Sequence, residues 1–180
     1  MARLDNLPIE QLTPQQKAVH DKLMATRKRV SGPFGVWLRN PELADAADKV
    51  VLALRENGKL EKRLYELIVL TVVRHWSAQY AWAAHEENAR KAGLSNEVIE
   101  AIRARKKPTF AKADEALIYD AVTELLAGRV LSSATYERLV AQHGLNTTIE
   151  LISIAGLYSM VATVLNGFDV PTPNGEKPFN

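Results

Sequence analysis

The segment LEKRLYELIVLTVVRHW, residues 60–76, is apolar on nearly every side of a helical projection. A helix with no polar face has to be covered all round, so this one must lie at the centre of a larger assembly of elements. The rest of the chain offers helices for that cover and no alternating strand runs of useful length. Thr13 followed by Pro14, and Asn40 followed by Pro41, read as N-caps with proline at the first helical position, the second helix closing near Gly58. SGPFGVW, residues 31–37, reads as a loop between them. Ser77 reads as the cap of a helix that ends at Gly93, and Ser95 as the cap of a short one that stops before Pro108. Further patterns close on Gly128 and Gly144, and Thr147 with Glu150 has capping-box spacing at the start of the last helix. The expectation is an all-α array of about seven or eight helices forming a single domain over residues 1–180, with a Pro-rich tail over 169–180.

Composition removes whole classes of chemistry. The chain has no cysteine, which excludes disulfides, thiolate metal sites, cysteine nucleophiles and a dithiol redox cycle. The opening residues carry no apolar core of the signal-peptide kind, so a cytoplasmic location is expected. Net charge is only +2, and the basic clusters at 27–29 and 103–107 lie at helix ends without interleaved aromatics. Solvated helix ends account for them better than a nucleic-acid site. The last helix is apolar but is interrupted by Glu150, Ser153, Ser159 and Thr163, so a buried or subunit-facing helix is expected and no membrane span.

Two residues violate the apolar pattern. Glu66 interrupts the central run, and His85 sits on the small-residue side of SAQYAWAAHEENARKAG, residues 77–93. In one continuous helix they would lie about 28 Å apart. A chain reversal near Ser77 makes residues 60–93 a helical hairpin and brings the two within reach. At about 100° per residue, Ala78, Ala81, His85 and Ala89 share a narrow face with Trp82 at its edge. A buried carboxylate without a partner is costly, so Glu66 requires one. Alone, Glu66 could bridge to an arginine or a backbone N–H, and His85 could be a satisfied core histidine. Together, beside small side chains, they form the pair that general acid–base chemistry uses. A metal on His85, Glu66 and Glu86 is not expected, because Glu86 lies 100° round the helix and no second inward histidine is present.

The frame Glu66, eleven residues, Ala78, two residues, Ala81, three residues, His85 resembles the signature of the carboxymuconolactone decarboxylase and alkylhydroperoxidase D superfamily. The resemblance is strongest over residues 63–93, looser over 33–126, and the LNGFDVP ending is similar to that of Cys-free relatives. It implies an alkylhydroperoxidase D-like orthogonal helical array and a homo-oligomer, trimer or hexamer, with the apolar last helix at an interface. In the redox branch the frame reads Glu, Cys, Cys, His, and the acid and imidazole activate thiols of a peroxidase cycle. Both cysteine positions are alanine here, and Tyr80 stands between them, so the resemblance implies a thiol peroxidase only by family and not for this chain.

The function expected is a cofactor-free acid–base enzyme on a small organic acid or lactone, similar to the lactone-decarboxylating branch, with no metal. His85 moves the proton and Glu66 orients it. Ala78 and Ala81 leave room for a substrate, Tyr80 and Trp82 shape the pocket walls, and Arg74, Arg39 or, equally, a helix end holds a substrate carboxylate. A non-catalytic relative that binds a small ligand or simply assembles is the alternative.

Overall fold

The computed structural model describes residues 3–5, 7–128 and 130–179; position 129 and the final residue of the tail lie outside the described residues. After a 3-10 turn at Ile9–Gln11 come α1 (Pro14–Arg27), α2 (Pro33–Trp37), α3 (Pro41–Arg55), α4 (Lys62–His75), α5 (Gln79–Lys91), α6 (Asn96–Arg103), α7 (Ala113–Leu126) and α8 (Ser133–Gly167). These eight helices make an all-α fold with no strand among the described residues. The expected starts of α1, α3 and α6 hold. Thr13 and Gln16 close a capping box, Asn40 accepts from the Leu43 N–H, and Ser95 accepts from the Val98 N–H.

Central position follows from the all-round apolar character of α4. Eleven of its fourteen residues are buried, and it packs against α5, α6, α7 and α8. Its one buried cation, Arg63, explains how the first turn of a core helix tolerates charge. The guanidinium meets Glu61 at 3.2 Å, Asp114 at 2.8 Å and the buried Glu115, tying α4 to the start of α7.

Three local expectations change. SGPFGVW is not all loop: Pro33 starts the short helix α2, because Phe34 and Trp37 one turn apart are buried edge-to-face at 5.2 Å. Ser77 is not an N-cap. It adopts φ +53° as the left-handed residue that ends α4, with the Ala78 N–H donating to Val73 and its own N–H to Arg74. Its hydroxyl is occupied by Arg105 Nη2 at 2.6 Å. The Thr147–Glu150 capping box does not form either. Helix resumes immediately after Gly144, whose φ +78° and ψ 160° break α8 into two pieces, and Glu150 instead accepts the Lys59 N–H at 2.9 Å.

An 18-residue window of α8 reaches a mean hydropathy of 1.7, enough by length and composition to cross a membrane, but half of that window is buried inside this chain. Packing against α4 and α7 gives that apolar face its cover. The tail folds back too. Phe179 is buried with its ring 5.5 Å from Trp82 and under the Arg74 guanidinium, while Gln79 brackets its backbone.

Replacing Arg63 with alanine strands Glu115 without its cation. The unfolding free energy is expected to fall by about 3 kcal/mol. Urea unfolding should show a smaller loss for Glu115→Gln, because Arg63 keeps Glu61 and Asp114.

Candidate active site

The reversal at Trp76–Ala78 lays α5 against α4 and sets His85 opposite Glu66. His85 Nδ1 lies 2.7 Å from Glu66 Oε2, and the two side chains are 12% and 7% exposed, so the pair is formed largely out of water. An ionised carboxylate only accepts, so Nδ1 carries the proton that joins them and Nε2 is the nitrogen left to do chemistry.

Two phenols extend the pair. Tyr158, from the buried face of α8, has its hydroxyl 3.3 Å from His85 Nε2 and 3.1 Å from the Tyr65 hydroxyl. The rings pack edge-on, His85 to Tyr158 at 5.1 Å and Tyr65 to Tyr158 at 6.0 Å. Burial pushes the Tyr65 hydroxyl up to about 12 against the pull of its bond to Tyr158. Burial, with Tyr65 and Glu66 adding to it, holds Tyr158 well above the usual tyrosine range. Both phenols therefore remain neutral donors at ordinary pH.

His85 and Tyr158 open on a cavity of about 450 Å³, bounded on its other sides by the end of α1, the segment before α2, and α3. A second hollow of about 410 Å³ is lined by Glu66 and Tyr65, and Arg55, Glu56 and Asn88 border both. His85 thus borders one hollow and its partner Glu66 the other.

Of the residues expected to line a pocket with His85, Tyr80 and Ala81 do so. Tyr80 reaches the loop before α2 and donates to the Ser31 hydroxyl at 3.1 Å. Gly32 makes that approach possible: it has φ +60°, and a Cβ there would fall 2.4 Å from the Tyr80 ring. Ala78, Trp82 and Arg74 are not in the lining. Ala78 is fully buried at the turn, where its N–H ends α4. Trp82 is fully buried on the tail side of α5, donating to Glu86 at 2.8 Å and packing on Phe179. Arg74 is drawn to the same side by the Arg103 carbonyl at 2.6 Å. Arg39 binds the carbonyls of Gly35 and Asp5 and borders a separate hollow. Glu86 is engaged by Arg90, Arg103 and Trp82, which hold its carboxyl below the usual range against the effect of burial.

The sequence reading missed Tyr158, Tyr65 and Arg27. Each tyrosine stands in an apolar run, where a hydroxyl needs a partner, and that was the available signal. The cluster at 27–29 is only partly a solvated helix end. Lys28 and Arg29 are exposed, whereas Arg27 turns inward to the fully buried Asp48, with Nε 2.7 Å from Oδ1.

Known proteins can be set beside this geometry. Residues 41–124 match the model of the Carboxymuconolactone decarboxylase family. Among solved structures, it is similar to an uncharacterised peroxidase-related protein from Silicibacter sp. TM1040. The TM-score is 0.73 at 17% identity, over 94% of this chain and 90% of that one, a likeness of fold. No curated protein is found to match.

Tyr65 titrates at about 12 in the native state and near 10 in an unfolded chain. Between those values the native protein keeps a proton that the unfolded chain has lost. Its stabilising contribution is therefore complete below about pH 10 and is lost as pH rises through about 12. Chemical unfolding across that range should show stability falling in the wild type and falling less steeply in Tyr65→Phe.

Proposed function

We propose that the chain is a cofactor-free acid–base enzyme acting on a small organic acid or lactone, with decarboxylation of a γ-carboxymuconolactone-like compound as its reaction type. The observation that carries the reading is His85, held at Nδ1 by Glu66 and facing a cavity through its other edge. In such a reaction the bond to the carboxylate carbon breaks and its electron pair passes into the unsaturated lactone. CO₂ leaves, the lactone carbonyl oxygen takes up the negative charge as a dienolate, and a proton returns to carbon. The substrate's own carbonyl is the electron sink, so the chemistry asks the protein only for charge stabilisation and a proton.

A proton taken up at His85 Nε2 passes to that carbon, and Glu66 on Nδ1 stabilises the ring while it carries the charge. Tyr158, a neutral donor beside Nε2, is placed to hydrogen-bond the developing oxyanion. The similar fold of a peroxidase-related protein does not bring a thiol peroxidase cycle to this chain, since that cycle needs sulfur and the sequence has no cysteine.

Assembly as a cytoplasmic homo-oligomer, a trimer or hexamer, belongs to the same proposal. It is supported by the exposed Leu145, Ile149 and Met160 on α8, and light scattering in solution should give a mass above that of one chain.

Incubated with γ-carboxymuconolactone, the wild type is expected to release CO₂. His85→Gln should lower turnover by about 10²–10⁴ with an unchanged melting temperature. Glu66→Gln should also lose turnover, since it unfixes the ring. A non-catalytic role for the pair gives the opposite ranking, with Glu66→Gln melting earlier and no rate to lose. Unimpaired CO₂ release by His85→Gln would overturn the assignment.

A further inference from the structure

We propose that Arg27 is the anion anchor of the cavity, and that the molecule bound there is a small organic carboxylate held by its carboxylate at the Arg27 end, with its reacting carbon toward His85. The inference rests on the acid–base reading for the second half of that statement and on the cavity alone for the first.

Four observations lead to it. Arg27 borders the same cavity as His85 and Tyr158, at the point where α1 ends. Its guanidinium is fixed: Nε is bonded to Asp48 Oδ1 at 2.7 Å, and the Phe34 ring lies face-on with its centroid 3.9 Å from the guanidinium carbon. One of its donor groups is not used up. Nη2 is buried against the same Asp48 oxygen at 2.6 Å, whereas Nη1 donates to no described residue. Lastly, the lining is unbalanced in charge. Lys28, Arg29 and Arg55 join Arg27 there, and Glu56 is the one acidic side chain among them.

A permanently charged guanidinium, pre-set by a buried carboxylate behind it and an aromatic face beneath it, can take a carboxylate through the Nη1 that Asp48 leaves unused. Asp48 is fully buried, with Oδ2 accepting no hydrogen bond. It orients Arg27 through one oxygen and does not cap the face that borders the cavity. Tyr80, Ala81 and Phe34 provide apolar surface for the body of such a ligand. A merely structural Arg27–Asp48 pair joining α1 to α3 would also be buried. It would give stability without any preference for anions.

Calorimetric titration with benzoate and with its neutral counterpart benzamide separates the two. Benzoate is expected to bind at least about tenfold more tightly than benzamide, and Arg27→Met to weaken benzoate about 10–100-fold while leaving benzamide unchanged. Because Arg27→Met strands Asp48, the double variant Arg27→Met/Asp48→Leu restores an apolar pair and should fold while still failing to prefer benzoate. Arg27→Lys keeps the charge but not the fork and should fall between. Equal affinity for the two compounds in the wild type, absence of benzoate binding, or benzoate binding unaltered in both Arg27→Met variants would overturn the anchor. Arg27-dependent benzoate binding without turnover of any lactone would support the anchor and count against the acid–base reading alone.

Discussion

A carboxylate has been placed inside the most apolar helix of this protein, and the surrounding architecture is what makes it tolerable. Glu66 on α4 would be costly if left alone. Its satisfaction by His85 requires α5 to come back against α4 in one register, which in turn requires a tight reversal at Ser77. That reversal uses a left-handed serine, a conformation glycine adopts more readily. The Arg105 guanidinium on its hydroxyl and the Val73 carbonyl bonded to Ala78 hold it there. The turn, the hydrogen bond and the burial of α4 are thus a single arrangement.

The same arrangement explains why α8 carries a tyrosine in its buried face. Once Glu66 takes Nδ1 of His85, the remaining nitrogen points into the seam between α4, α5 and α8, where it would be unpartnered. Tyr158 fills the seam and passes the requirement to Tyr65, one residue before Glu66 on α4. Acid, imidazole and two phenols therefore form an open chain that starts and finishes on one helix.

Most of the scaffold was legible in the sequence, because caps, glycine stops and an all-round apolar segment are local signals. The helix count, the hairpin over 60–93 and the expectation that Glu66 needs a partner came from such signals. What was not legible was direction. Trp82 and Arg74 lie within a few residues of the pair in sequence, yet the returning tail and Arg103 draw both to the opposite face of α5. No local pattern announces a contact to residue 179. Ser77 and Thr147 show the complementary limit, since a residue type suited to an N-cap also suits a turn or a first helical turn, and tertiary partners decide which.

The two alanines that stand where the redox relatives carry thiols are not equivalent in consequence. Ala81 borders the cavity, whereas Ala78 is sealed into the turn, so removal of sulfur opens volume at one position only. The greater part of the cavity wall comes from elsewhere: Arg27 and Ser31 before the family-matched segment, and Tyr158, Val161 and Leu165 after it. The matched segment, residues 41–124, supplies the Glu66–His85 pair. It also supplies Arg55, Tyr80 and Ala81 to the wall, while α1, the loop before α2 and α8 supply other parts of it. The family match therefore covers the Glu66–His85 pair and only part of the wall around it. The charge and shape of the cavity come jointly from that segment and from the two flanking portions of the chain.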